Sequence, residues 1–154
     1  MFRELRRKEK ETGADRATEI LAKGAYGVLS TVCENGRPYG VPLHYVYRGG
    51  AIYFHCARAG QKTDNILADD RVSFLVVGRY TVRPAAFSTE FESAVVFGRA
   101  CEVCGEEKDG ALAALIDKYA PGHEEAGREH IKKDGAKTAV VKIRIEHICG
   151  KASP

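Results

Sequence analysis

Gly27-Val28-Leu29-Ser30-Thr31-Val32-Cys33, then Glu34-Asn35-Gly36, the run Pro38 to Tyr47, Arg48-Gly49-Gly50 and Ala51-Ile52-Tyr53-Phe54-His55-Cys56 make one stretch in which three extended segments are joined by two tight-turn signals. The first segment is apolar and β-branched, and the Asn-Gly of Glu34-Asn35-Gly36 favours a tight hairpin. Along the returning segment Tyr39, Val41, Leu43, Tyr45 and Tyr47 share one face at period two, while Gly40, Pro42, His44 and Val46 share the other. Gly49-Gly50 turns the chain again into the third segment. Consecutive strands joined by short turns predict an antiparallel meander.

The flanking sequence adds strands and short helices. Upstream, Asp15 is placed to N-cap a helix over Arg16 to Lys23, with Gly24 at its C-terminal end. Downstream, Ala57 to Gln61 reads as a loop and Lys62 to Ala68 as a short helix; Arg71 to Tyr80 is a strand, and a loop holding Arg83-Pro84 leads to another over Glu92 to Val103. Glu107 to Tyr119 is amphipathic through Leu112, Leu115, Ile116 and Tyr119, and Pro121-Gly122 ends it. His123 to Gly135 is strongly charged and reads as an exposed helix or a loop. Thr138 to Ile145 alternates as a final strand. The expected fold is mainly β with short helices, an antiparallel closed or split barrel in one domain over residues 1–154. No Rossmann or P-loop glycine fingerprint is present.

Composition narrows the function classes. The chain is 44% hydrophobic and 29% charged, as in ordinary globular proteins, and its 24 basic against 21 acidic residues leave a net charge of +3. Basic residues interleaved with acids predict no nucleic-acid partner, although the balance suits an anionic cofactor. The basic N-terminus has no apolar stretch of the secretory kind, and no run reaches membrane-spanning length. Five scattered cysteines (33, 56, 101, 104 and 149) predict reduced thiols and a cytoplasmic location. Cys101-Glu-Val-Cys104 has a metal-ligand spacing. It falls on a predicted strand, where residues three apart point to opposite faces, and no second pair completes a set of about four ligands, so no metal site is expected.

Candidate chemistry centres on the passage from Ile52 to Lys62. A strand runs through a small loop into a helix start, where free backbone N–H groups and the positive end of the helix dipole favour an anion, and Arg58 and Lys62 add two cations suited to a phosphate. Pro42 cannot donate a ladder hydrogen bond, so it predicts a local break beside Val41 and Leu43. That break frees backbone groups for a heteroaromatic ring, or marks an edge or bulge proline with no ligand. His55 at its strand end is either a ligand contact or a structural histidine, and His44 beside Pro42 is equally open. Ser93, at the start of its predicted strand, meets a phosphate oxygen or satisfies a turn. No Ser-His-Asp or Cys-His relay is evident.

Taken together, Phe2-Arg3-Glu4-Leu5-Arg6-Arg7, Gly27 to Thr31, Gly36 to Tyr47, Ile52 to Ala57 with Gly60-Gln61-Lys62, Glu92 to Ala100 and Ile145 to Lys151 resemble the FMN-binding split barrels of the pyridoxamine 5'-phosphate oxidase superfamily, in particular its nitroimidazole-resistance branch. The likeness spans nearly the whole chain. It implies a homodimer with FMN at the subunit interface and a small-molecule substrate. It also implies that Val41, Pro42 and Leu43 lie along the flavin ring and that Cys56 and Ala57 belong to the cofactor site. Arg58 and Lys62 become phosphate partners, His55 the catalytic histidine near the flavin, and Ser93 and Lys151 further flavin contacts. Gln61 departs from the pattern, since a basic residue often precedes the lysine, and His44 is unusual in its strand. The implied activity is FMN-dependent reduction of nitroimidazole-type nitroaromatics. The alternatives on the same scaffold are a pyridoxamine-phosphate-oxidase-like enzyme, a general flavin reductase, or a flavin-binding module without turnover.

Overall fold

A computed structural model describes residues 1–153. β1 (Glu11–Thr12) and α1 (Ala14–Lys23) lead into β2 (Gly27–Val32), β3 (Pro38–Leu43), β4 (Val46–Arg48), β5 (Ala51–Ala57) and α2 (Gln61–Ala68). β6 (Arg71–Arg83), β7 (Ser88–Val103), α3 (Gly105–Tyr119), α4 (Glu124–Asp134) and β8 (Thr138–Ser153) follow. The strands form one antiparallel sheet in the order β3-β2-β6-β7-β8-β5-β4, with β1 added to β8.

The two edges of that sheet, β3 and β4, are consecutive in the chain. The sheet therefore curls until its edges are joined by His44 and Tyr45 with no ladder between them, which is a split barrel. The single extended run expected from Pro38 to Tyr47 is thus two strands with different partners, β3 on β2 and β4 on β5. The break falls at His44–Tyr45 and not at Pro42, where the β2–β3 register continues without a shift from Val32↔Pro38 to Gly27↔Leu43. Pro42 is tolerated because β3 is an edge strand with one side unpaired.

The barrel interior is filled by Leu29, Tyr45, Ile52, Phe54, Phe74, Val76, Val96 and Ile143, packed with Ile20 and Leu21 of α1. Alternation along β5 sends Ile52, Phe54 and Cys56 into this core, and Ala51 and Tyr53 to the outer face, where they meet Ala111 and Leu112 of α3 and Val140. β7 and β8 run on long enough to coil round the barrel, and their register shifts at Phe97/Gly98. A Cβ at Gly98 would collide with the Arg144 carbonyl oxygen, so the bulge requires glycine.

Several boundaries differ from the sequence expectation. Gly13, not Asp15, is the N-cap of α1, and Asp15 lies in the first turn, where its carboxylate still complements the dipole. Gly24 is the C-cap of α1 as expected, its N–H donating to the Ile20 carbonyl, but its φ of −58 makes close packing against Val76 and Tyr45, not a left-handed turn, its reason for being glycine. The charged stretch after Pro121 is helical as α4. β7 begins at Ser88, which puts Ser93 inside the strand, and β8 continues to Ser153. Cys101 is exposed on β7 and Cys104 is exposed at the N-cap of α3. No group of three or more His, Cys, Asp or Glu is placed to hold a metal ion among the described residues. No helix among them is long and apolar enough to cross a membrane.

Candidate functional site

The corner at His44–Tyr45 is pinned from three sides. The Tyr45 hydroxyl is buried and donates to the Leu21 carbonyl, and burial holds this phenol far above its ordinary pKa. The Tyr119 hydroxyl, on the last turn of α3, accepts from the Tyr45 N–H at 3.1 Å and lies 2.8 Å from the Ala25 carbonyl and 3.0 Å from the Tyr45 carbonyl. Lys118 Nζ donates to that same Tyr45 carbonyl at 3.0 Å and sits 4.0 Å from the Tyr45 ring centroid; burial lowers its pKa. His44 stacks on Tyr119 with centroids 4.0 Å apart and planes at 9°.

From this corner two free strand edges diverge. The β4–β5 ladder stops at Val46↔Tyr53, so Phe54 to Ala57 are paired only with β8, while β3 is paired only with β2. Val41 and Leu43 are half-buried and Pro42 is exposed along one of these edges. His55, Cys56 and Ala57 lie on the other; the Cys56 side chain is turned into the core, where burial raises its thiol pKa, so it offers a ligand only its backbone. The β5 edge runs into α2, whose N-cap Gly60 has φ 145, a conformation that favours glycine. The first helical acceptor bond is Asp64 N–H to the Gly60 carbonyl at 3.0 Å, which leaves the amides of Gln61, Lys62 and Thr63 without a helical partner. Lys62 Nζ makes no hydrogen bond or ion pair among the described residues. α2 itself is anchored on β2, with Asn65 Nδ2 donating to Thr31 Oγ1 at 2.9 Å and Gln61 Nε2 to Cys33 Sγ at 3.3 Å. Three free amides and an uncompensated ammonium at one helix start fit a phosphate monoester, and the unpaired backbone of β3 fits a ring edge that both donates and accepts.

Other site candidates are placed elsewhere. Arg58 pairs with Glu102 at 3.0 Å and donates to the Ala136 carbonyl at 3.0 Å, both on the surface. Ser93 and Lys151 are direct cross-strand partners on β7 and β8, a pairing that sequence separation concealed. Ala57 pairs with Thr138 at the start of β8, whereas Lys151 lies near the other end of that strand.

His55 shares the outer-face parity of Tyr53 and opens into a cavity of about 230 Å³ under α3 and α4. Burial there, and then the imidazoles of His44 and His130, hold its pKa below the ordinary histidine value, so it is neutral at pH 7. His130 Nδ1 lies 3.5 Å from Asp134 Oδ2 on α4. Leu112, Leu115, Ile116 and Ile131 supply the apolar wall.

A family model for pyridoxamine 5'-phosphate oxidase matches residues 13–152, which takes in β2 to β7 and all but the last residue of β8. The chain belongs to the pyridoxamine 5'-phosphate oxidase family. Among curated proteins none matches the sequence. Solved structures with the pyridoxamine 5'-phosphate oxidase family's split barrel are similar throughout. An FAD-binding protein of Mesorhizobium loti is 25% identical over 94% of this chain and 98% of its own, with TM-score 0.72. A proposed 5-nitroimidazole antibiotic resistance protein of Bacteroides thetaiotaomicron is 20% identical over 90% of this chain and 83% of its own, with TM-score 0.73. A flavocytochrome of Azotobacter vinelandii is 21% identical over 98% of this chain and 72% of its own, with TM-score 0.82. The fold is thus that of flavin-related oxidoreductases.

Tyr119, His130 and the apolar wall were absent from the sequence-derived site. Leu112, Leu115, Ile116 and Tyr119 carried a visible helical periodicity, but periodicity alone reads as core packing and does not reveal that one end of the helix roofs a cavity.

Proposed function

We propose that this chain is an FMN-dependent oxidoreductase acting on small nitro-substituted heteroaromatics as a homodimer, with FMN held across the subunit interface. The observation that carries the reading is that the barrel leaves two strand edges unpaired, β3 and the end of β5 carrying His55, and that β5 leads directly into the unpaired first turn of α2 with Lys62. A bound flavin supplies the electron-transfer chemistry. Lys62 and the amides of residues 61–63 hold its phosphate, and Val41, Pro42 and Leu43 meet its ring through backbone groups. His55, neutral at pH 7, donates one N–H to an oxygen of the substrate.

Two features support a second copy. Ser93 on β7 and Lys151 on β8 are cross-strand partners outside the stretch of β8 that pairs with β5, and a second copy of the chain would bring such a pair to the flavin from its own barrel. The β6–β7 hairpin also exposes Val77, Tyr80, Val82 and Phe87, a run of apolar side chains suited to self-association.

The test is FMN affinity of the wild type and of Lys62→Ala. Loss of a charge-assisted phosphate contact of about 1.5–3 kcal/mol corresponds to roughly 10- to 150-fold weaker binding. Equal affinity removes Lys62 from the site. Turnover with a nitroimidazole, pyridoxamine phosphate or free flavin then separates nitroreductase, oxidase and general reductase, and tight FMN binding without turnover on any of them identifies a flavin carrier.

A further inference from the structure

The cavity beside His55 has its own construction and is not absorbed by the phosphate corner. We propose that it binds a neutral, flat aromatic molecule of one or two rings, laid against the His44–Tyr119 stack and hydrogen-bonded at its edge by His55. It rests on the proposed function in giving a seat to the substrate that His55 meets, while occupancy of the cavity is read without flavin or turnover.

Size sets the first limit. At about 230 Å³ the cavity falls below the roughly 300–1,000 Å³ of sites for drug-sized ligands, so its enclosed part suits one or two rings. Shape and rigidity set the second. The His44 ring is held 4.0 Å from Tyr119, and Tyr119 is itself fixed through its hydroxyl to Ala25 and Tyr45, so one wall is a pre-organised aromatic surface. Leu112, Leu115, Ile116 and Ile131 give the rest an apolar lining.

Charge sets the third. Three imidazoles, His44, His55 and His130, reach the cavity, and the carboxylate among its lining groups, Asp134, lies beside His130 and Lys137. No lysine or arginine lines it, so an anion finds no permanent cation there. Neither ring nitrogen of His55 nor of His44 has a hydrogen-bond partner among the described residues. A neutral guest with an oxygen or nitrogen acceptor on its edge satisfies such a ring without the desolvation cost of a charge.

Quinoline is the probe, with naphthalene-2-carboxylate as its anionic counterpart, both titrated at pH 7.5 into the full chain and followed by amide chemical shifts. Quinoline is expected to saturate, with shifts clustered at the C-terminal half of α3, on α4 and at residues 44 and 55. The carboxylate is expected to bind at least tenfold more weakly. His44→Ala should weaken quinoline at least fivefold and His44→Phe, which keeps a flat ring, should restore it; His44 is exposed, and a thermal melt checks that each variant folds. Non-saturating or scattered wild-type shifts overturn the proposal without reference to any variant. Equal binding of the carboxylate, or an unaffected His44→Ala, overturns it as well.

Discussion

Replacing Tyr119 by Phe removes one oxygen and leaves the ring stacked on His44. That oxygen accepts from the Tyr45 N–H at 3.1 Å and sits within hydrogen-bond distance of the Ala25 and Tyr45 carbonyls. The Tyr45 carbonyl keeps Lys118 Nζ at 3.0 Å, so it remains satisfied. The Tyr45 amide does not, because it belongs to neither β3 nor β4 and has no strand partner. One partly buried donor is left unpaired, together with the loss of the bond to Ala25, for a total of about 2 kcal/mol. In a domain of this size that lowers Tm by about 4–8 °C, measured by circular dichroism melts. Tyr119→Ala, which also removes the stack on His44, should fall further. A Phe variant melting within about 1 °C of wild type would show that the corner is not held by this hydroxyl, and the rigid placement of His44 would lose its basis.

Gly98→Ala should destabilise by about 2 kcal/mol or more, since the added Cβ meets the Arg144 carbonyl backbone, which cannot step aside, and urea unfolding reads the shift. The His55 imidazole should titrate by NMR below the ordinary histidine value, with His44→Ala and His130→Ala each moving it upward. The sign for stability follows: with the folded pKa depressed, the unfolded chain binds the proton more readily, so stability is full above the ordinary histidine range and falls as pH drops through the His55 value. Under native conditions a thiol reagent should modify Cys101 and Cys104 quickly and Cys56 only on unfolding, because the first two are exposed and the third is in the core.

How much of this was legible in the sequence depended on whether a property was local. The Asn35-Gly36 and Gly49-Gly50 turns, the period-two faces around Tyr45 and the helix starting by Lys62 are local, and the structure has them within a few residues. The division of the Pro38–Tyr47 run was hidden because alternation continues through His44 and Tyr45; only the global curl of the sheet decides that the two halves have different partners. Ser93 opposite Lys151 depends on the register of two sixteen-residue strands and on the bulge between them. The ion pair of Arg58 with Glu102 is likewise invisible in the sequence, because the carboxylate comes from β7, far along the chain. The cavity escaped notice for the same reason, being assembled from β5, α3 and α4.

The central claim, that the corner formed by β3, β5 and the start of α2 holds a flavin phosphate, is tested most directly by titrating FMN with the purified chain and following flavin fluorescence anisotropy, with riboflavin in parallel. Saturable binding at one FMN per chain, with riboflavin at least tenfold weaker for want of the phosphate, is the predicted result. An unchanged anisotropy, or equal binding of the two flavins, would contradict it.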